Sequence, residues 1–338
     1  MNNWPTFCTR LRNHPAAVLG CLAGLTAVLA VASLGLGAVA VAPTEVLRAL
    51  LSGQSDGVAV QIVLYARLPR TLAGLLAGAA LAVAGVLIQT VLANPLAAPH
   101  ILGVNAGAGL AVTVCCALAP GLAMQPLAAF GGAMAGVLLV LLFAENTGAS
   151  RITLVLAGVA ISNLFSAGID AVTTLYPDAL LGYADFRMGG LAGVTLARLV
   201  PAAAMILPGL ALALCLADRL DVLALGPETA QSLGLAVRPT RLVLLALAAA
   251  LAGAAVSVCG LVGFVGLLVP HAVRAVLGED SRPLLAGSAL GGAALLTGCD
   301  LLARTAAAPF ELPVGTVMSF VGGPFFLWLL IRQRGGRR

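Results

Sequence analysis

About ten apolar runs, separated by clusters of Pro, Gly and charge, decide what this 338-residue chain can fold into. They lie near residues 16–41, 71–92, 101–119, 126–144, 152–174, 190–216, 240–258, 267–277, 283–303 and 314–331. A helix needs about 20 apolar residues to cross hydrocarbon. Within that layer every backbone N–H and C=O must find a partner inside the protein. Consecutive runs of this length therefore predict an all-α integral membrane protein. Composition agrees: 9% of residues are charged, against about 25% in a soluble domain. The eighth run is too short to span as a straight helix, so the Gly-rich "VCGLVGFVGLLVP" leading into it is expected to dip into the protein.

Every basic residue is Arg, and the chain has no Lys. That rules out a P-loop, whose Lys reaches the phosphates, so any ATP used must bind another chain. Arg10 and Arg12 precede the first run, and Ala38-Val39-Ala40 imitates a signal-peptidase site. The run from 16 to 41 exceeds the roughly 7–15 residues of a signal h-region, so it reads as a retained first helix. With the N-terminus inside, only Arg48, Arg67, Arg70, Arg187, Arg198 and Arg304 fall outside, leaving twelve of the eighteen Arg inside. This bias predicts N-in and C-in, as an even helix number requires. Arg67 and Arg70, flanking Pro69 in "YARLPRTLAG", then sit on the disfavoured side, with Pro69 expected to set a turn.

The seven cysteines lack C-x-x-C spacing and read as small packing residues rather than disulfides or metal ligands. Small-xxx-small spacings at Gly74/Gly78, Gly103/Gly107, Gly132/Gly136 and Gly287/Gly291 could let helices approach closely, although a chain with 40 glycines produces such spacings by chance. The longest interior loop, at about 219–238, is polar and amphipathic. Within it, Pro227 suits the first turn of a short helix, Glu228 suits its dipole and Gly234 is placed to end it.

Several stretches together resemble one family. "RLPRTLAGLLAGAALAVAGVLIQTVLANPLAAPHILGVNAGAGL", "LALGPETAQSLGL", "GLVGFVGLLVPHAVRAVLGEDSR" and "CDLLARTAAAPFELPVG" are similar, in order, to the blocks of the iron-siderophore, haem and vitamin B12 permeases. These are the membrane subunits of type II binding-protein-dependent ABC importers. The resemblance spans about residues 60 to 331. It implies about ten helices per chain and a homodimer with a central translocation pathway. It also implies two cytoplasmic ATPase subunits that bind ATP and Mg, and a periplasmic substrate-binding protein. The setting would be a bacterial inner membrane. A cytoplasmic tail at 1–15, one permease domain at 16–331 and a basic tail at 332–338 would complete the chain. No cofactor, metal, nucleic acid or catalytic residue of its own is expected.

The resemblance also assigns roles. Leu225, Gly226, Pro227, Glu228, Ala230, Leu233 and Gly234 match coupling helices that sit in a groove of the ATPase; the bland reading is an ordinary loop. Asn94 and Leu96 in "ANPLAAP" match part of a cytoplasmic gate, with a plain helix-breaking turn as the alternative. The helix around Arg151 to Ser162 is expected to line the path. Arg67, Arg70 and Arg304 match arginines that receive acidic residues of the binding protein. Their alternatives are snorkelling for Arg67 and Arg70, and an i, i+4 pair with Asp300 for Arg304. Arg187 in "DFRMGGLAG" departs from the family pattern and would attract anionic cargo, unless Asp185 or Asp178 pairs with it. His100 and His271 read as structural, and Asp170 and Asp300 as paired. The expected cargo is haem or a ferric siderophore. Vitamin B12 import, or an ion-coupled transporter using Asp170 and Asp300, are the alternatives.

Overall fold

A computed structural model describes residues 14–37, 41–52, 57–120, 124–146 and 151–335. Arg10, Arg12, Cys8, Ala38-Val39-Ala40, Arg337 and Arg338 lie outside the described residues, as do residues 1–13 and 336–338 of the two expected tails. The described chain is helical, with no strand among the described residues. In order come α1 (Pro15–Gly35), α2 (Pro43–Ser52) and α3 (Val58–Leu92). A 3-10 turn (Pro99–Leu102) leads into α4 (Val104–Leu118), α5 (Gln125–Asn146) and α6 (Arg151–Leu175). Then come α7 (Ala179–Met188), α8 (Leu196–Cys215), α9 (Ala217–Ala224) and α10 (Pro227–Ser232). The chain closes with α11 (Val237–Cys259), α12 (Val265–Leu277), α13 (Ser281–Thr305) and α14 (Val314–Gly335).

Seven of these helices are long and apolar enough to cross a membrane: α1, α3, α5, α6, α8, α11 and α13. Three shorter apolar helices, α4, α12 and the Val314–Leu329 part of α14, occupy the remaining expected spans. The centre is built from α3, α11 and α13, whose apolar windows are mostly buried, whereas α1, α6 and α8 bury little. Leu25, Val28, Val31, Leu156, Leu164 and Leu207 are correspondingly exposed on those outer helices. Such faces suit lipid, which gives no hydrophobic reward for hiding them.

Small residues decide how the central helices meet. A Cβ added to Gly78 would collide with the Gly292 carbonyl, so α3 and α13 cross there backbone to backbone. On the other side of the bundle Gly107 meets Gly132 in the same way, with Gly103 against Gly136, joining α4 to α5. Three of the four small-xxx-small pairs thus lie at helix crossings with a backbone partner. Gly287 and Gly291 meet instead the Leu277, Val273 and Val269 side chains of α12.

Helix α12 shows how a short broken segment survives inside the bundle. Pro270, within it, has no N–H to give the carbonyl four residues earlier. That carbonyl belongs to Gly266, and the buried Gln89 of α3 supplies the missing bond through Nε2 at 3.1 Å. Gln89 Oε1 in turn accepts from Arg274 Nη1 at 3.0 Å. One amide therefore holds both ends of α12, consistent with the expectation that this segment dips inward where its backbone finds partners.

Four expectations need correction. The first span ends at Gly35 rather than 41, because its terminal carbonyls are capped by arginines described below. Pro69 sets no turn: α3 runs continuously from Val58 to Leu92. A π-helical stretch at Ile62–Arg67 precedes the proline and opens the helix where Pro69 cannot donate. The sixth span starts at Leu196 rather than 190, and a separate helix, α7, precedes it. The loop at 219–238 holds two short helices, α9 and α10, rather than one.

Candidate functional site

Chain direction sorts the candidate residues onto two ends of the bundle. The end of α1, the start of α3, the end of α13 and the start of α14 meet at one end. The end of α3, the starts of α11 and α13, and the α9–α10 pair meet at the other.

At the first end the structure brings Arg67, Arg70 and Arg304 together around one cavity of about 290 Å³. Arg67 and Arg304 are buried, at 5% and 3% exposure. Arg67 Nη1 donates to Leu34 O at 2.9 Å and to Gly35 O at 2.7 Å. Arg304 Nη2 donates to Ser33 O at 2.7 Å and Ser33 Oγ at 2.6 Å. Leu36 N closes on Ala32 O at 2.9 Å. The last four carbonyls of α1, which have no partner in their own helix, are thus all accounted for. Val41 N adds a bond to Gly35 O at 3.2 Å, and two of the four capping donors are cations, which also suit the negative end of the helix dipole. Ser33 Oγ shares a 2.7 Å hydrogen bond with Thr71 of α3, tying the same corner across a third contact.

Arg70 joins α3 to α13. Its Nε lies 3.0 Å from both Asp300 carboxylate oxygens, and its Nη2 lies 2.9 Å from Oδ1. Asp300 is 2% exposed, and Arg304 Nε approaches its other oxygen at 3.7 Å. A carboxylate this deep would be costly alone and is tolerable because it is paired and hydrogen-bonded. The remaining Nη1 of Arg70 donates to Glu311 Oε2 at 2.8 Å, from the segment between α13 and α14. Asp300 and Arg304 therefore form the expected i, i+4 pair, as one edge of a larger network. Asp170 is exposed, and no ion pair forms at it among the described residues.

Arg187 lies on α7 near the same end, apart from the arginine cluster. It is exposed and pairs with neither Asp185 nor Asp178 among the described residues. A second cavity, of about 400 Å³, opens beside α7 and is lined by Asp185, Phe186, Arg198 and Gly260 together with Arg70 and Glu311.

At the opposite end, Gly226 stands before α10 with φ +102°, a conformation that costs a residue with Cβ but not glycine. Pro227 takes the first helical turn. Gly234, at φ +83°, ends the helix: its N–H bonds Gln231 O at 3.0 Å, and Leu235 N bonds Ala230 O at 3.0 Å. This is the paired C-terminal capping that glycine favours. Ala230 is buried, while Leu225 and Leu233 are 60% and 61% exposed. These two large apolar side chains therefore flank the short, firmly capped α10 and stand exposed at its two ends.

Helix α9 is fastened to α13. Asp221 Oδ1 accepts from Ser281 N at 2.9 Å, at the α13 N-terminus, and Asp218 pairs with Arg282 at 3.0 Å. The α11 start is held by Arg238, whose Nε donates to Glu145 Oε1 of α5 at 2.9 Å. Asn94 and Leu96 lie in the turn after α3 at this end. Ala93 takes φ +46°, Asn94 N bonds Gln89 O at 3.0 Å, and Leu96 N bonds Asn94 Oδ1 at 3.0 Å. His100 follows in the 3-10 turn, and His271 meets Phe325 edge-on with ring centroids 6.1 Å apart.

Sequence reasoning missed Ser33, Gln89, Asp221 and Glu311. The signal for Asp221 was available as a charge in a segment otherwise read for its Pro and Gly. Gln89 was a lone amide in a long apolar run, which in lipid needs a partner.

Comparison with known proteins agrees with this arrangement. Residues 25–332 match the FecCD transport family. The chain is 40% identical over 333 residues to the hemin transport system permease protein HmuU of Yersinia pestis, covering 96% of this chain and 98% of that one. Over 290 residues it is 42% identical to the Fe(3+) dicitrate transport system permease protein FecD of Escherichia coli strain K12, covering 85% and 91%. Among solved structures, it superposes on a metal-chelate type ABC transporter in an inward-facing conformation with a TM-score of 0.84 at 29% identity, covering 94% and 99%.

Proposed function

Because the chain belongs to the FecCD transport family, we propose that it is the permease subunit of a binding-protein-dependent ABC importer for an iron chelate, haem or a ferric siderophore. Near-complete alignment with a hemin permease at 40% identity carries this reading. The chain itself conducts the cargo and performs no chemistry. ATP and Mg belong to a separate ATPase subunit, consistent with a sequence that has no Lys for a P-loop.

The two ends take different partners. Leu225, Gly226, Pro227, Glu228, Ala230, Leu233 and Gly234 couple to the ATPase, a role supported by the rigid capping and displayed leucines of α10. Asn94 and Leu96 belong to the inner gate. The arginine end faces the periplasm and receives acidic side chains of the binding protein, at Arg70 foremost, since Arg67 and Arg304 are engaged in capping α1. Arg187 meets anionic cargo at the outer mouth, supported by its exposure and by its having no ion pair among the described residues. Two copies of the chain form the path along their two-fold axis in a bacterial inner membrane. Ten spans with both ends inside fit the helix directions, since α1 begins and α14 finishes at the α10 end.

Co-expression with a separate ATPase subunit tests this directly. The permease should co-purify with that subunit. Replacing Glu228 or Gly226 should abolish uptake while the permease still reaches the membrane. Uptake that tolerates both replacements would remove the coupling role.

A further inference from the structure

Glu311 stands where two cavities meet. The pocket of about 290 Å³, lined by Tyr65, Arg67, Arg70, Thr195, Arg304 and Glu311, lies on one side. The cavity of about 400 Å³ that includes Asp185, Phe186 and Arg198 lies on the other, and Arg70 and Glu311 line both. The ion pair between them borders both.

The two acids of the cluster differ in one respect that matters. Asp300 takes two edges of Arg70 and is 2% exposed, locked between α3 and α13. Glu311 takes only Nη1, at 2.8 Å, and is 39% exposed. An incoming carboxylate can replace Glu311 without disturbing Asp300. Such an exchange keeps the charge of the cluster constant, so Arg70 keeps its second counter-ion. Simple removal of Glu311 would leave three arginines facing one acid.

We propose that Glu311 is an internal stand-in for the docking carboxylate of the partner protein, occupying Arg70 in the undocked permease and displaced when that acid enters the arginine pocket. This rests on the proposed docking role of Arg70. Displacement removes the side-chain tie between α3 and the segment leading into α14, which keeps its backbone bonds from Leu312 N to Ala303 O at 2.9 Å and from Gly315 N to Gly189 O at 3.3 Å. Docking would thereby change the wall that both cavities share at Arg70 and Glu311, so that arrival of the carrier is felt at the outer mouth.

Binding of the substrate-binding protein to the permease–ATPase complex in lipid nanodiscs tests this by interferometry. Glu311→Gln and Glu311→Ala should both tighten docking by about two- to five-fold, the range of one exposed ion pair. The gain should vanish against a carrier whose lobe carboxylates are changed to amides. Docking that is unchanged or weakened in both Glu311 variants, while Arg70→Glu weakens it, overturns the stand-in alone. Docking by Arg70→Glu equal to that of the unaltered protein overturns the docking role itself, and this inference with it.

Discussion

Arginine within an apolar bundle is costly unless each donor has a task, and Arg67 shows what the task can be. Its guanidinium caps the Leu34 and Gly35 carbonyls of α1, the helix with the smallest buried share among the long ones. Arg67→Ala should leave the buried Leu34 carbonyl unsatisfied at about 1–3 kcal/mol, while Gly35 O keeps its bond from Val41 N at 3.2 Å. The expected sign is faster amide exchange across residues 32–36, with α11 unaffected. Gln89→Leu should likewise cost about 1–3 kcal/mol, because it strips Gly266 O of its donor and Arg274 of its acceptor. A lowered thermal unfolding midpoint in detergent would show it, and an unchanged midpoint would refute the role of the amide in holding α12. At this scale the sequence was half legible. "RLPR" was conspicuous because charge counting placed it on the disfavoured side. Its partners were hidden, since carbonyl caps come from Ser33, Leu34 and Gly35 whatever their side chains, and no residue pattern encodes them.

Helix α13 is a strut between the two proposed docking ends. It has 25 residues, roughly 37 Å at about 1.5 Å per residue. Asp221 and Asp218 of α9 hold its first turn, and Asp300 and Arg304 anchor its last turns to α3 and α1. Asp221→Ala should therefore reduce cargo moved per ATP hydrolysed several-fold while the ATPase subunit still binds, as measured in proteoliposomes. An unchanged ratio would show that α13 is not a transmitting element. The crossing at Gly78 and Gly292 keeps the strut close to α3, and Gly78→Val should destabilise the fold by about 1–3 kcal/mol or more through overpacking. Helix α10 was legible because Pro227 and Gly234 bracket it. Helix α7 was not: "ALLGYADFRM" has no clear apolar stripe, although Asp178 and Gly189 flank it as cap residues, and the apolar residues after it extended the next run in the wrong direction. The π-helical stretch before Pro69 was equally invisible, since a proline early in a long helix and a proline in a turn look alike in sequence.

For the whole molecule, length and apolarity were enough to read a multi-pass helical bundle, and the order of four motif blocks was enough to read its family. Hydrophobicity alone fell short at α4 and α12, whose apolar helices of 15 and 13 residues are shorter than a full span. The central claim is that transport requires two partners acting at opposite ends of one strut-linked bundle. The most direct measurement is haem or ferric-siderophore uptake into proteoliposomes holding the permease with its ATPase subunit, with binding protein and ATP supplied independently. The expected result is uptake only when binding protein and ATP are both present, insensitive to an uncoupler. Uptake that persists without the ATPase subunit and collapses on addition of an uncoupler would contradict it.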